Sequence, residues 1–206
     1  MIYFLIKHLL KLYYKIIYFA SAEGANNIPA VGGALLCGNH QQINDPLVML
    51  SFIKRQPKFL GKAELFVPVL GCFLKKFGCV PVDRSKGDLK ALRTCIKLLK
   101  EQNLLMLFPE GTRSCKHLAD VKPGAIMFAI KSQVPIVPIG ISRLKPFGRT
   151  KVTFGEPIYY DEYYDKKLTD DDYKKLVAEL MYQIFNLVEE KCVYYDEIKA
   201  SVDNEH

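Results

Sequence analysis

Short apolar runs alternate with amphipathic stretches along most of this chain. Runs of strand length fall at 34–37, 58–60, 79–82, 104–108, 136–140 and 151–154. Between them, helical spacing covers 46–53, 68–77 with Gly78 as a stop, 88–100 and 124–132. Thr169 followed by Asp172 is a capping-box-like opening for a last helix, about 170–190, with Leu176, Leu180, Ile184 and Leu187 on one face. Strands alternating with helices predict a single layered α/β/α domain with a mainly parallel or mixed central sheet. The acidic stretch after Glu190 carries no strong pattern and is expected to fray.

Residues 1–20 follow a different rule. Sixteen of them are apolar or aromatic, interrupted by Lys7, His8, Lys11 and Lys15. On a helical wheel Tyr3, Lys7, His8, Lys11, Tyr14, Lys15 and Tyr18 share an arc of roughly 140°, with Phe4 the one apolar intruder. The rest of the wheel is apolar. This is the pattern of a helix lying in a bilayer interface, lysines toward anionic headgroups and tyrosines at the boundary. A full span would place three lysines near the bilayer centre at about 2.5–3.5 kcal/mol each, so the interface is favoured. A helix packing its broad apolar face on the domain itself is the structural alternative.

At 206 residues, half of them apolar, the chain can bury one full core. Its net charge of +7 is uneven. Residues 1–160 hold 23 Lys/Arg against 9 Asp/Glu, or +14, and 161–206 hold 6 against 13, or −7. The basic part suits an anionic partner: lipid, a phosphate-bearing substrate or an acidic carrier protein. Nucleic acid is not expected, since no nucleic-acid-binding motif is present. Six cysteines without paired spacing indicate neither zinc nor a disulfide framework, and no metal site is expected. Cys37 and Cys115 are the thiols best placed to be proposed as nucleophiles, and a core role fits Cys37 better.

The chemistry concentrates in two segments. In Asn39-His40-Gln41-Gln42-Ile43-Asn44-Asp45-Pro46, a histidine and an aspartate stand five positions apart, about 140° round a continuous helix. They can meet only if His40 lies in a loop, with Asp45 as N-cap and Pro46 the first helical residue. A carboxylate then holds the imidazole in one tautomer, as a general base requires. In Phe108-Pro109-Glu110-Gly111-Thr112-Arg113-Ser114, turn residues follow a strand, bringing Glu110 and Arg113 out at its carboxyl end, the edge where open α/β sheets bind ligands. Arg113 offers a planar fork suited to phosphate, and Gly111 permits close backbone approach.

These segments resemble the signatures of the glycerophospholipid acyltransferase family, whose central member acylates 1-acylglycerol-3-phosphate. Gly61-Lys62-Ala63-Glu64-Leu65 with Val80-Pro81-Val82-Asp83-Arg84 looks like a further family block, and Val134-Pro135-Ile136-Val137-Pro138 like the last. The resemblance runs from about 22 to 158, and Gln41 stands where many members carry a small hydroxyl residue. It implies acyl transfer from a thioester to the free hydroxyl of a lysophospholipid, making phosphatidic acid, with His40 and Asp45 catalytic. Glu110, Gly111, Thr112 and Arg113, helped by Lys62 and Arg84, would bind phosphate and glycerol. Glu110 would bind the glycerol hydroxyl or fix Arg113. Val134, Pro135, Ile136, Val137 and Pro138 would form part of an acyl-binding wall, or simply a buried strand. No cofactor is implied beyond acyl-coenzyme A or acyl carrier protein as co-substrate. Residues 1–20 would be a membrane-associating helix and 21–206 the acyltransferase domain, peripheral or monotopic on the cytoplasmic face of the cell membrane, in contact with anionic lipid. Glycerol 3-phosphate or another lysolipid as acceptor, a hydrolase using the same pair, and a non-catalytic membrane module are the alternatives.

Overall fold

The computed structural model describes residues 2–82 and 88–203. Helix α1 spans Ile2–Ile17 and is followed by β1, Ser21–Glu23. The chain continues through β2 (Ala34–Gly38), α2 (Asp45–Phe52), β3 (Lys58–Lys62), α3 (Pro68–Lys76), β4 (Cys79–Val82), α4 (Asp88–Lys100) and β5 (Leu104–Leu107). It ends with α5 (Gly124–Ser132), β6 (Ile136–Ile141), β7 (Lys151–Phe154), α6 (Asp170–Asn186) and α7 (Tyr195–Asp203). Among the described residues seven strands form one sheet in the order β1-β7-β6-β2-β5-β3-β4. All neighbours are parallel except β6 and β7. The sheet is mixed, as the spacing of strand and helix patterns predicts.

Side chains alternate across it. Leu35, Cys37, Leu105 and Ile136 pack against α4, α5, α6 and α7. Leu36, Leu104, Met106, Val137 and Ile139 pack on the other face with α2 and the tyrosines of α1. Being buried on both faces, β2 and β6 read in sequence as unbroken apolar runs. The capping box at Thr169 and Asp172 forms, and Gly78, at φ +88°, closes α3.

Four features differ from the sequence reading. Strand β1 has only three residues and pairs through its backbone with β7, so no apolar alternation marks it. The segment after Glu190 is ordered: Tyr194 and Ile198 are fully buried and α7 packs on α6. Asn44, not Asp45, occupies the cap of α2, and Asp45 is its first helical residue. Finally, α1 docks through its polar arc. Tyr3, Lys7, Tyr14 and Tyr18 are buried, whereas Phe4, Leu5, Leu9, Leu12 and Ile16 face outward. Tyrosine bodies and lysine stems are apolar enough to pack, which leaves the broad hydrophobic face free.

Candidate active site

Strands β2 and β5 are parallel neighbours with Cys37 opposite Leu107, so the loops after them leave the same sheet edge side by side. β6 lies on the far side of β2, and the reversal of strand order at β2 opens the crevice where such sheets bind ligands.

His40 sits in the loop between β2 and α2, and its Nδ1 lies 3.0 Å from Asp45 Oδ2. The same oxygen accepts the backbone N–H groups of Gln41 at 2.7 Å and Gln42 at 2.6 Å. Asp45 is therefore spent on folding the loop back rather than on capping α2, which is why the sequence assignment of the cap fails. An ionised carboxylate only accepts, so Nδ1 is the donor and Nε2 is left with its lone pair free to accept a proton. Asp45 is 1% exposed and the His40 side chain 17%, which gives a shielded orienting group beneath an accessible imidazole.

Three further residues hold this loop, and sequence reasoning gave none of them that role. Phe108 stacks on the imidazole, ring centroids 4.3 Å apart. Buried Asn39 brackets the end of β6, its Nδ2 donating to Ile141 O at 3.0 Å and its Oδ1 accepting from Ile141 N at 2.7 Å. Tyr194, from the segment expected to fray, donates to Glu110 Oε1 at 2.6 Å, while Glu110 Oε2 accepts the His40 backbone N–H at 2.6 Å. The contacts of Glu110 thus tie the His40 loop to the last helical layer, and none reaches Arg113. Burial raises the Glu110 carboxyl above the ordinary range against the lowering effect of its bonds to Tyr194 and His40. The spacing of Tyr194, Ile198 and Val202 was the available signal for α7.

Gly111 adopts φ +64°, in a turn closed by its N–H on Phe108 O at 3.0 Å, and a side chain there would meet open space. Glycine is needed for conformation, not for room. Thr112 Oγ1 accepts from Ser114 N at 3.3 Å. Arg113 is exposed and hydrogen-bonds to no described residue, and Lys62 is exposed at the carboxyl end of β3. Arg84 lies outside the described residues. Ile136 and Val137 have no exposed surface and Val134 and Pro138 are buried, with Pro135 half-buried, so this run is core strand as it stands. Burial pushes the Cys37 thiol far up, and Cys115 is also raised, chiefly by burial, so neither is a ready thiolate.

A histidine held by a buried aspartate, in a loop at the carboxyl edge of an α/β sheet, with an exposed arginine in the neighbouring loop after β5, is an arrangement able to take a proton from a hydroxyl near an anion. The acyltransferase family model matches residues 20–142, more than half of the chain and the whole of this constellation. The chain belongs to the acyltransferase family. It is 31% identical over 145 residues to 1-acyl-sn-glycerol-3-phosphate acyltransferase of Bacillus subtilis, covering 66% of this chain and 72% of that protein. It is also 31% identical over 180 residues to the chloroplastic BAT2 enzyme of that name from Brassica napus, covering 80% of this chain but about half, 51%, of the relative. The fold matches the crystal structure of the 1-acyl-sn-glycerophosphate acyltransferase PlsC from Thermotoga maritima, with a TM-score of 0.61 at 21% identity over 95% of this chain and 96% of that one.

Proposed function

We propose that this protein transfers a fatty acyl group from a thioester, acyl-coenzyme A or acyl carrier protein, to the free hydroxyl of 1-acylglycerol-3-phosphate, producing phosphatidic acid. The observation that carries this reading is the His40 Nδ1 to Asp45 Oδ2 bond at 3.0 Å, which leaves Nε2 to act. The names of relatives about 30% identical support the acceptor.

His40 Nε2 takes the hydroxyl proton as the oxygen attacks the thioester carbonyl carbon. The tetrahedral intermediate expels the thiolate, and the proton held on His40 goes to the departing sulfur or to solvent. No acyl-enzyme is needed, and the chain has no Gly-x-Ser-x-Gly turn to form one. Arg113 clamps the acceptor phosphate, with Lys62 and Arg84 assisting. The reaction as written needs no cofactor.

No described helix is long and apolar enough to cross a membrane. The outward face of α1, continued by Phe147 whose N–H donates to Ile17 O, supports peripheral docking on a bilayer. The test is product formation from lysophosphatidic acid, glycerol 3-phosphate and lysophosphatidylcholine with oleoyl donors on both carriers. Phosphatidic acid formed fastest from lysophosphatidic acid supports the assignment. Free fatty acid released without acceptor would make the protein a hydrolase.

A further inference from the structure

Away from the catalytic edge, α1, the end of α2 and edge strand β1 enclose a groove of about 590 Å³. Its lining includes Lys7, His8, Lys11, Lys15 and Lys54, and no acidic side chain. Small residues, among them Ala22 and Ser51, line it too and leave room between the cations. The charges are poorly compensated. The Lys7 side chain is 9% exposed, and its amine reaches one carbonyl, Lys54 O, at 3.4 Å, although an ammonium has three protons to place. Burial and then the positive charge of Lys11 lower the Lys7 pKa. Lys54 bonds the neutral Asn26, and Lys11 sits 5.5 Å over the Phe52 ring. Like charges gathered without a counter-charge repel, and a bound anion offsets that repulsion.

We infer that this groove binds the phosphate of an anionic lipid headgroup, as a second site separate from the catalytic one. Ammonium groups on flexible stems converge on phosphate as point charges, and four of the lining side chains, Lys7, Lys11, Lys15 and Lys54, can do so. Placement supplies the lipid. On the α1 wheel His8, Lys11 and Lys15 lie roughly 40–160° round from Leu9, Leu12 and Ile16. With the apolar face on a bilayer, the mouth of the groove opens at headgroup height. The lipid identity thus rests on the membrane reading of α1, whereas the phosphate preference rests on the groove. None of its lining residues belongs to the loops after β2 or β5, so occupancy does not compete with the catalytic site.

The test is amide chemical shifts of the full chain titrated below the micelle concentration with dihexanoyl phosphatidic acid, dihexanoyl phosphatidylcholine or inorganic phosphate. Phosphatidic acid should give saturable shifts at Lys11, Lys15 and Ala22. In K11Q/K15Q the affinity should fall at least tenfold, with unchanged melting temperature and unchanged activity on detergent-dispersed substrate. Weaker saturation of the same amides by inorganic phosphate would support phosphate as the recognised group. Equal affinity for the two would overturn the lipid assignment. Shifts confined to the loops around His40 and Arg113, or equal shifts with phosphatidylcholine, would overturn the site. Binding at α1 and β1 is read whether or not acyl transfer occurs, so failure of the transferase reading would show separately, as absent turnover.

Discussion

At the scale of single residues, the site depends on one carboxylate oxygen doing three jobs. Asp45 Oδ2 orients His40 and closes the loop on two backbone donors, so its replacement should harm both chemistry and fold. Asp45→Asn should lower kcat by about 10²–10⁴-fold, the range of general-base contributions, because an amide can present a donor to Nδ1 and favour the wrong tautomer. Steady-state kinetics on the folded variant checks this, and a loss below tenfold would remove Asp45 from the mechanism. Glu110 and Tyr194 form the second device. Tyr194→Phe leaves a buried carboxylate oxygen without its donor and should cost about 1–3 kcal/mol, measured by urea unfolding. Because the folded Glu110 pKa is raised, the fold holds that proton more tightly than the unfolded chain does. Its contribution is full below the ordinary glutamate range and is lost as pH rises through the raised value. Glu110→Gln should therefore flatten the fall of stability with rising pH, and an unchanged slope between pH 4 and 8 would contradict the assignment.

At the scale of elements, most of the fold was legible because β2, β5 and β6 are buried on both faces and carry unbroken apolar runs, while α4 and α5 carry clear helical spacing and are observed at the expected residues. What escaped was decided by partners. β1 exists because β7 offers an edge, and α7 exists because α6 covers Tyr194 and Ile198; neither partner is written in the local pattern. The wheel identified the two faces of α1 but not which one docks, since tyrosine and lysine suit either environment. The site residues were legible where a motif brought them close in sequence, as with His40 and Asp45, and hidden where contact spans the chain, as with Tyr194. The turn between β6 and β7 breaks its own local rule. Gly148 N donates to Lys145 O at 2.9 Å, with Pro146 second and Phe147 third at φ +58°, where turns of this kind take Gly or Asn. Phe147 is 73% exposed, so little packing repays the strain. Phe147→Gly should raise stability by up to about 1 kcal/mol, read from the urea midpoint, and a lowered midpoint would show that the ring packs.

At the scale of the molecule, the loop that holds His40 and Asp45 and the helix that carries the outward apolar face share one core. Tyr14 and Tyr18 of the α1 region pack in the same core as α2, whose first residue is Asp45. An interfacial enzyme built this way would hold its crevice at a fixed attitude to the bilayer. Leu9→Glu with Leu12→Glu, both on exposed positions, should abolish sedimentation with anionic vesicles while leaving turnover of detergent-dispersed substrate within about twofold. Unchanged vesicle binding would place the membrane contact elsewhere.

The central claim is that His40 is the base of an acyl transfer. Its most direct test is the rate of phosphatidic acid formation from lysophosphatidic acid and an oleoyl thioester by His40→Ala beside the parent protein, with melting temperatures recorded for both. The account predicts a loss of at least about 10²-fold in kcat with the fold retained. Retention of most activity in a folded His40→Ala protein would contradict it.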